Sequence, residues 1–243
     1  MKNYIEFLGL DKIKRENEII LASSDNREIL LSGKFYYPII ATRIKDKIVI
    51  SCTPKLIDSL EHSINEFDKI NENNIICFLT KYARKKFKTF EIKEMYRLFK
   101  NYKENEIICN DVELINEDKK KFFYNIVKKN KELKYKEEKW KEFNNIKAPY
   151  GINYGIIKEK KIVSLGYISN IIENMANIVI QTEDDYRNLG FATKVVEKIA
   201  IECFNKGVIP IYWVNKDNDA SSRVAKKTGF KILSKEIVIK IEK

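Results

Sequence analysis

The stretch DDYRNLGFATKVVEKI, residues 185–200, decides how the chain is read. From Ala192 onward, apolar residues recur at Val195, Val196, Ile199, Ala200 and Cys203, the spacing of one buried helix face. Lys194, Glu197, Lys198 and Glu202 fall on the opposite face, and Gly207 is a fitting residue just past the helix end. Upstream, ANIVIQT (176–182) is β-branched and apolar, as a mostly buried strand requires. Strand, short polar turn, glycine and helix start in that order aim unpaired backbone N–H groups at one point. The first amides of a helix lack intrahelical acceptors and carry the positive end of its dipole, so they bind anions such as phosphate. Gly190 lets the backbone come close to such an anion because no Cβ intervenes.

Two phosphate-binding loops do not fit. GFATK lacks the Gly-Lys-Ser/Thr order of a P-loop, and the dinucleotide fingerprint needs three spaced glycines where one is present. The pattern that fits is Arg187-x-x-Gly190-x-Ala192, which resembles the Q/R-x-x-G-x-G/A signature of the GCN5-related N-acetyltransferase (GNAT) family. Further along, GVIPIYWV (207–214) reads as a strand, with Pro210 tolerable near its start. In the stretch after it, Asn218, Ser221, Val224, Ala225, Lys227, Gly229 and Phe230 match the family's N-x-x-S-x-x-x-A-x-K-x-G-F ending. YGINYGIIKEKKIVSLGYISNII (150–172) reads as two strands around a charged turn at 158–161. The resemblance therefore runs over about 148–243 without a gap. It is nearest to the branch with G-x-x-P-x-W in the fifth strand, and two-part members carry an N-terminal extension domain.

The resemblance implies an α+β fold, with a mixed and mostly antiparallel sheet flanked by helices. It also implies acetyl-CoA as co-substrate and no metal. The pyrophosphate would lie on the loop Arg187, Asn188, Leu189, Gly190, Phe191, Ala192 and Thr193. The pantetheine arm would pair with the exposed backbone of the fourth strand, here 178–182, with Ile180, Gln181 and Thr182 as contacts. A backbone N–H of that strand would polarise the thioester carbonyl. Asn218 and Ser221 stand where the family contacts the pantetheine and thiol end, although Asn218 and Asp219 are equally good helix caps. Many relatives carry a tyrosine that reprotonates the leaving thiolate; in this chain that position is Ala225. Tyr212, Ser221 or solvent would have to serve instead, and Glu183 is the candidate base for an ammonium acceptor. A solvated turn acid is an equal reading of Glu183.

The implied reaction moves an acetyl group to an amine on a small molecule or peptide by direct attack. The missing tyrosine leaves a second class open, a catalytically weak acyl-CoA-binding sensor or partner module. The acceptor is not identified by the sequence.

Composition bounds the rest. Hydrophobic residues make up 44% and charged residues 33%, enough for a globular core. No apolar run approaches the ~18 residues of a membrane helix, and the N-terminus lacks a signal-peptide core. Cys52, Cys77, Cys109 and Cys203 form no C-x-x-C pair, which points to a reduced, cytoplasmic setting. The net charge of +11 is spread over both halves, so nucleic acid is not the expected partner. Its densest cluster, KYARKKFK (81–88), reads as a solvated helix face.

The catalytic domain is expected at 106–243. EIICNDVELI (106–115) supplies its first strand, followed by helices over 116–130, with Asn116 as cap, and over 134–145. Residues 1–105 form a smaller α+β domain that shapes the acceptor site or a homodimer contact. Strands are expected at 18–24, 27–33, 35–44 and 47–54. Helices are expected at 54–67, capped by Thr53 with Pro54 at its first position, and at 92–103. The single histidine, His62, reads as a surface residue.

Overall fold

A computed structural model describes residues 2–16, 18–67, 69–100, 110–127 and 132–243. The first part of the chain contains α1 (Lys2–Leu8), β1 (Ile13–Glu16), β2 (Ile19–Ser23), β3 (Phe35–Ile44), β4 (Lys47–Cys52), α2 (Ile57–Asn65), α3 (Ile75–Lys86) and β5 (Glu91–Phe99). The second part contains β6 (Glu113–Leu114), α4 (Lys120–Tyr124), α5 (Leu133–Glu142), β7 (Asn153–Lys158), β8 (Lys161–Ile172), β9 (Met175–Thr182), α6 (Phe191–Asn205), β10 (Ile209–Asn215), α7 (Asp219–Lys227) and β11 (Lys231–Glu242). Two compact units result: Met1–Arg97 with Ile232–Lys243, and Leu98–Lys231. Among the described residues no helix is long and apolar enough to cross a membrane.

In the first unit the strands run in the order β1-β2-β4-β3-β11-β5. β3 is antiparallel to both β4 and β11, and β2 is parallel to β4. One sheet face carries Leu21, Ile39, Ala41, Ile50 and Ile239 against Leu60 and Ile64 of α2 and Phe78, Leu79 and Tyr82 of α3. The apolar residues of both helices fall at helical spacing, so each buries one stripe. Elsewhere in this unit, the buried Glu236 accepts from Arg97 Nε at 2.8 Å and Nη2 at 3.2 Å, from Tyr4 Oη at 2.8 Å and from Ser234 Oγ at 2.8 Å. Arg97 and Arg27 both lie over the Phe7 ring, with guanidinium carbons 4.2 and 3.9 Å from its centroid.

The second unit orders its strands β10-β9-β8-β7-β6. β6 to β9 are joined antiparallel, and β9 and β10 are parallel. Helix α6 covers one face through Val195, Val196, Ile199, Ala200 and Cys203, all fully buried. Gly166 of β8 makes that approach possible: a Cβ there would sit 2.7 Å from Val195 Cγ1 and 2.6 Å from Ile199 Cδ1. The other face holds Ile162 and Leu165 against Phe123, Trp140 and Phe143 of α4, α5 and the π-helical turn Phe143–Lys147.

Several expectations are corrected. Residues 27–33 form no strand; Asp25–Glu28 is a 3₁₀ turn, and Ser32 and Gly33 adopt positive φ in a reversal that leads into β3. Residues 92–99 belong to strand β5 and not to a helix. Both faces of β5 carry partly or fully buried apolar groups, so Ile92, Met95, Tyr96, Leu98 and Phe99 fall by accident at three- and four-residue intervals. The first-strand stretch 106–115 keeps two strand residues, Glu113–Leu114, and its part up to 109 lies outside the described residues. The helix expected over 116–130 is a 3₁₀ turn, Glu117–Lys119, and five residues of α4, with 128–130 outside the described residues. The helix at 54–67 begins with a 3₁₀ turn, Pro54–Leu56, for which Thr53 makes no side-chain cap bond. His62 is exposed and 3.0 Å from Glu66, as a surface histidine. The expected domain boundary at 105 lies outside the described residues; by contacts, 232–243 group with the first unit.

Candidate functional site

The site begins where a sheet comes apart. β9 and β10 pair from Met175↔Ile209 to Asn177↔Ile211 and then part, although β9 continues to Thr182 and β10 to Asn215. The side chain of Asn177 sits in the fork. Its Oδ1 accepts from Trp213 N–H at 3.1 Å, and its Nδ2 donates to Ser169 Oγ of β8 at 3.0 Å. An amide that spans two strands in this way takes the place of the next ladder bond.

The free edge of β9 follows from its other side. Glu183 N–H donates to Val163 O at 2.9 Å, with Gln181 opposite Leu165 and Val179 opposite Tyr167. Alternation along an antiparallel ladder turns the backbone polar groups of Val179 and Gln181 towards β8. Those of Ile178, Ile180 and Thr182 therefore face the gap. Of the three strand residues expected to touch a cofactor, Ile180 and Thr182 present backbone there, and Gln181 does not.

Beyond β9 the chain makes a 3₁₀ turn, Asp184–Tyr186, and enters α6 through Gly190. Asn188 (φ 63°) and Gly190 (φ 80°) are left-handed on either side of Leu189, which is 58% exposed. No heavy atom lies within 4 Å of where a Gly190 Cβ would stand. The first helical ladder bond nearby is Lys194 N–H to Gly190 O at 3.2 Å. The amides of Phe191, Ala192 and Thr193 thus precede the ladder at the positive end of a 15-residue helix. This open cradle fits a phosphate group. Arg187 is exposed; its Nη2 is 2.8 Å from Asp184 Oδ1, and its Nε donates to Thr182 O at 3.4 Å. An exposed pair of this kind is worth little and exchanges readily for another anion.

At the start of α7, Asn218 Oδ1 accepts from Ser221 N–H at 3.1 Å, so Asn218 is the helix cap. Ser221 is half-buried. The next residue, Ser222, has a buried Oγ with no hydrogen-bond partner among the described residues, a feature the sequence signals only as a second serine in the motif. Ala225 is fully buried in α7. Parallel pairing of Ile211 with Asn177 and strand alternation turn Tyr212 to the α6 and α7 face. Its ring meets Phe230 edge-on at 5.5 Å, it is 3% exposed, and its hydroxyl also has no partner among the described residues. Burial pushes the Tyr212 hydroxyl well above the usual phenol range.

On the opposite face, Gln181 and Glu183 line a cavity of about 320 Å³. Glu183 Oε2 accepts from Lys161 Nζ at 2.6 Å, and this bond raises the Lys161 pKa. The candidate groups thus fall in two sets: the loop, the β9 edge, Ser221 and Tyr212 towards α6 and α7, and Glu183 towards α4 and α5.

Comparison with known proteins identifies the family and the fold. The GNAT acetyltransferase family matches residues 39–237. The chain is similar to the uncharacterized N-acetyltransferase YdfB of Bacillus subtilis, 28% identical over 100 residues; the match spans 41% of this chain and only 38% of that relative's length. Among solved structures, an acetyltransferase from the GNAT family from Colwellia psychrerythraea superposes with a TM-score of 0.51 at 12% identity, covering 79% of this chain and 75% of that one. At that identity the likeness speaks for the fold alone.

Proposed function

The chain belongs to the GNAT acetyltransferase family, and from that premise we propose that it transfers an acetyl group from acetyl-CoA to an amine by direct attack in a ternary complex. The observation that carries this reading is the parting of β9 and β10 after Asn177↔Ile211, next to the α6 entry at Gly190. Acetyl-CoA supplies an activated acyl thioester and a polyanionic handle. The amides at 189–193 hold its pyrophosphate, and Arg187 trades Asp184 for a phosphate oxygen. The backbone of Ile178, Ile180 and Thr182 receives the pantetheine arm as a further strand would be received. An N–H of that edge stabilises the negative charge developing on the thioester oxygen. Ser221 contacts the thiol end.

Glu183 takes a proton from the acceptor ammonium, and Tyr212 returns one to the departing sulfur in place of the tyrosine that Ala225 replaces. The Tyr212 and Ser222 hydroxyls, both buried without a partner among the described residues, support this placement, since most buried polar groups in proteins are paired. Calorimetric titration with acetyl-CoA, followed by detection of thiol release with a panel of amines, tests the proposal. Absence of acetyl-CoA binding by the folded protein ends it. One observation favours the second reading, an acyl-CoA-binding module without turnover: the Tyr212 hydroxyl is a weaker acid than an ordinary phenol. Tight acetyl-CoA binding with no thiol released to any amine would select that alternative.

A further inference from the structure

The densest basic cluster of the sequence, KYARKKFK (81–88), lies on α3 and just beyond it, and three of its cations border a cavity of the first unit. Its volume of about 400 Å³ is within the range of small-molecule sites. The end of α2 and the residues after it bound the cavity on one side, and α3 bounds it on the other. The floor is aromatic. Phe67 and Phe78 meet edge-on at 5.3 Å, and Tyr82 lines the same space, its hydroxyl engaged in a hydrogen bond with Ser59 Oγ at 2.6 Å. Lys81, Arg84 and Lys85 stand on the rim at i, i+3 and i+4, the spacing of one helix face.

The carboxylates of this region are engaged by other cations. Lys14 lies 3.6 Å from Asp58 and 3.9 Å from Glu61, His62 lies 3.0 Å from Glu66, and Arg43 pairs with Glu72. Lys81, Arg84 and Lys85 are exposed and form no ion pair with a described residue. The rim therefore carries three cations and the single carboxylate of Glu66. The next two residues that are charged in the sequence, Asp68 and Lys69, add one charge of each sign. Lys81 and Lys85 are four residues apart, where like charges repel. The negative end of the α3 dipole accounts for cations in its last turn. It does not account for Lys81, a turn earlier, whose ammonium lies over the Phe67 ring at 5.4 Å.

We infer that this cavity binds a small aromatic phosphomonoester, and the inference is independent of the acetyl-transfer reading. Such a phosphate carries about −1.5 to −2 at pH 7, which matches the surplus of two positive charges on the rim. The planar fork of Arg84 takes two phosphate oxygens, as guanidinium geometry favours, and Lys81 and Lys85 act as point charges. The ring packs against Phe67 in the offset or edge-on manner of aromatic pairs. An extended polyanion would use the basic helix face without any need of an aromatic floor. The floor is what selects a small ligand with a ring.

The test titrates the full chain by calorimetry with 1-naphthyl phosphate, 1-naphthol, inorganic phosphate and a short oligothymidylate. Naphthyl phosphate should bind at least tenfold more tightly than naphthol or inorganic phosphate. Lys85→Glu, at an exposed position, should weaken it at least tenfold. Arg84→Lys, which keeps the charge and loses the fork, should weaken it by a few fold. Gly190→Asp should leave it unchanged, which separates this cavity from the helix start proposed for acetyl-CoA. Should Lys85→Glu misfold by circular dichroism, Lys81→Glu makes the same change of charge. Naphthyl phosphate held no more tightly than inorganic phosphate overturns the inference, as does a loss in Gly190→Asp equal to that in the lysine variant. Tighter binding of the oligothymidylate, lost in the same lysine variant, would make this face a nucleic-acid surface and overturn it likewise. If none of the ligands binds, the cluster is a solvated helix face and the inference falls.

Discussion

The interior of the first unit holds a saturated carboxylate, whereas the second holds an interrupted strand pairing. In the first, Glu236 is sealed in the interior and receives four hydrogen bonds from Arg97, Tyr4 and Ser234. In the second, the ladder between β9 and β10 ends after three residue pairs, and Tyr212 and Ser222 keep buried hydroxyls with no partner among the described residues. A saturated carboxylate has no capacity left for a ligand, so its value is structural. An unpaired strand edge and unpaired hydroxyls cost stability unless something else completes them. Mutations at the saturated carboxylate and at the interrupted pairing should therefore differ in what they change.

The largest effect is expected at Glu236. Glu236→Ala leaves the Arg97 guanidinium buried without its counter-charge, and breaking such a pair costs about 3–5 kcal/mol. Urea unfolding should show that loss, while the fraction still folded keeps its acetyl-CoA affinity. Burial alone would raise the Glu236 pKa, but the adjacent Arg97 and the Tyr4 and Ser234 hydroxyls outweigh it and hold the group below the usual carboxylate range. A folded-state pKa that is depressed means stability present above the unfolded value of about 4.3 and lost as pH falls through the folded one. Glu236→Gln should therefore flatten the acid side of the stability profile. If its profile retains the acid slope of the wild type, Glu236 is not the group that sets it.

At Gly190 the expected loss moves from stability to binding. Any L-residue there is strained at φ 80° by about 1–2 kcal/mol, and Gly190→Ala should show that in its unfolding midpoint with little change in acetyl-CoA affinity. Gly190→Asp adds a negative charge at the helix N-terminus, where it competes with phosphate for the same amides. Its affinity should fall about ten- to a hundredfold at low salt and by less at high salt. Equal affinities for the two variants would remove the pyrophosphate from this loop.

What the sequence made legible is concentrated around Gly190 and the elements beside it. Helix α6, β9, β10 and α7 could be read because motif spacing and local periodicity agree there: Gly190 starts a helix whose buried face recurs from Val195 to Cys203. In the first unit local pattern misleads. In β5 the apolar residues come from two buried faces and imitate helical spacing, and Arg97 looks like a surface charge until Glu236, 139 residues away, comes to meet it. The exposed backbone of β9 is expected from the resemblance, but the side chain at the fork is not. Asn177 sits in an ordinary strand sequence, and nothing local marks it as the residue that bridges to Trp213 and Ser169. The aromatic wall of the cavity on the α4–α5 face has no local signature either. Phe123, Phe143 and Tyr167 come from three separate elements, and their meeting is a tertiary fact.

Tyr212 tests whether an orphaned hydroxyl is a functional group. If it protonates the leaving sulfur, Tyr212→Phe should lower kcat by about ten- to a hundredfold with acetyl-CoA affinity unchanged. Because the hydroxyl has no partner among the described residues, its removal should not destabilise the protein. A variant with full kcat would assign the proton to Ser221 or solvent. The discrimination comes from measuring both quantities: a structural hydroxyl lost would lower the melting temperature, and a catalytic one would lower only the rate.

The smallest effect is expected at Asn177, and it bears most directly on why the two units differ. The ladder between β9 and β10 has no obvious reason to stop at Ile211, since both strands continue in extended backbone. The side-chain amide supplies one. It occupies the Trp213 N–H from one side and is fixed by Ser169 on the other, so the strands are held apart by a group longer than a backbone bond. Asn177→Ala removes that acceptor, and a lost hydrogen bond of this kind costs about 1 kcal/mol. With the spacer gone, β10 can pair one or two residues further along β9 and cover the edge at Ile178. Acetyl-CoA affinity should then fall by a few fold, and the Trp213 amide should change its hydrogen-exchange rate. Asn177→Asp keeps the oxygen that Trp213 needs and can accept from the Ser169 hydroxyl in place of donating to it, so it should lie close to wild type in affinity. If alanine and aspartate behave alike, the amide does not hold the fork open, and the parting of the strands must be sought in the packing of Tyr212 and Trp213 themselves.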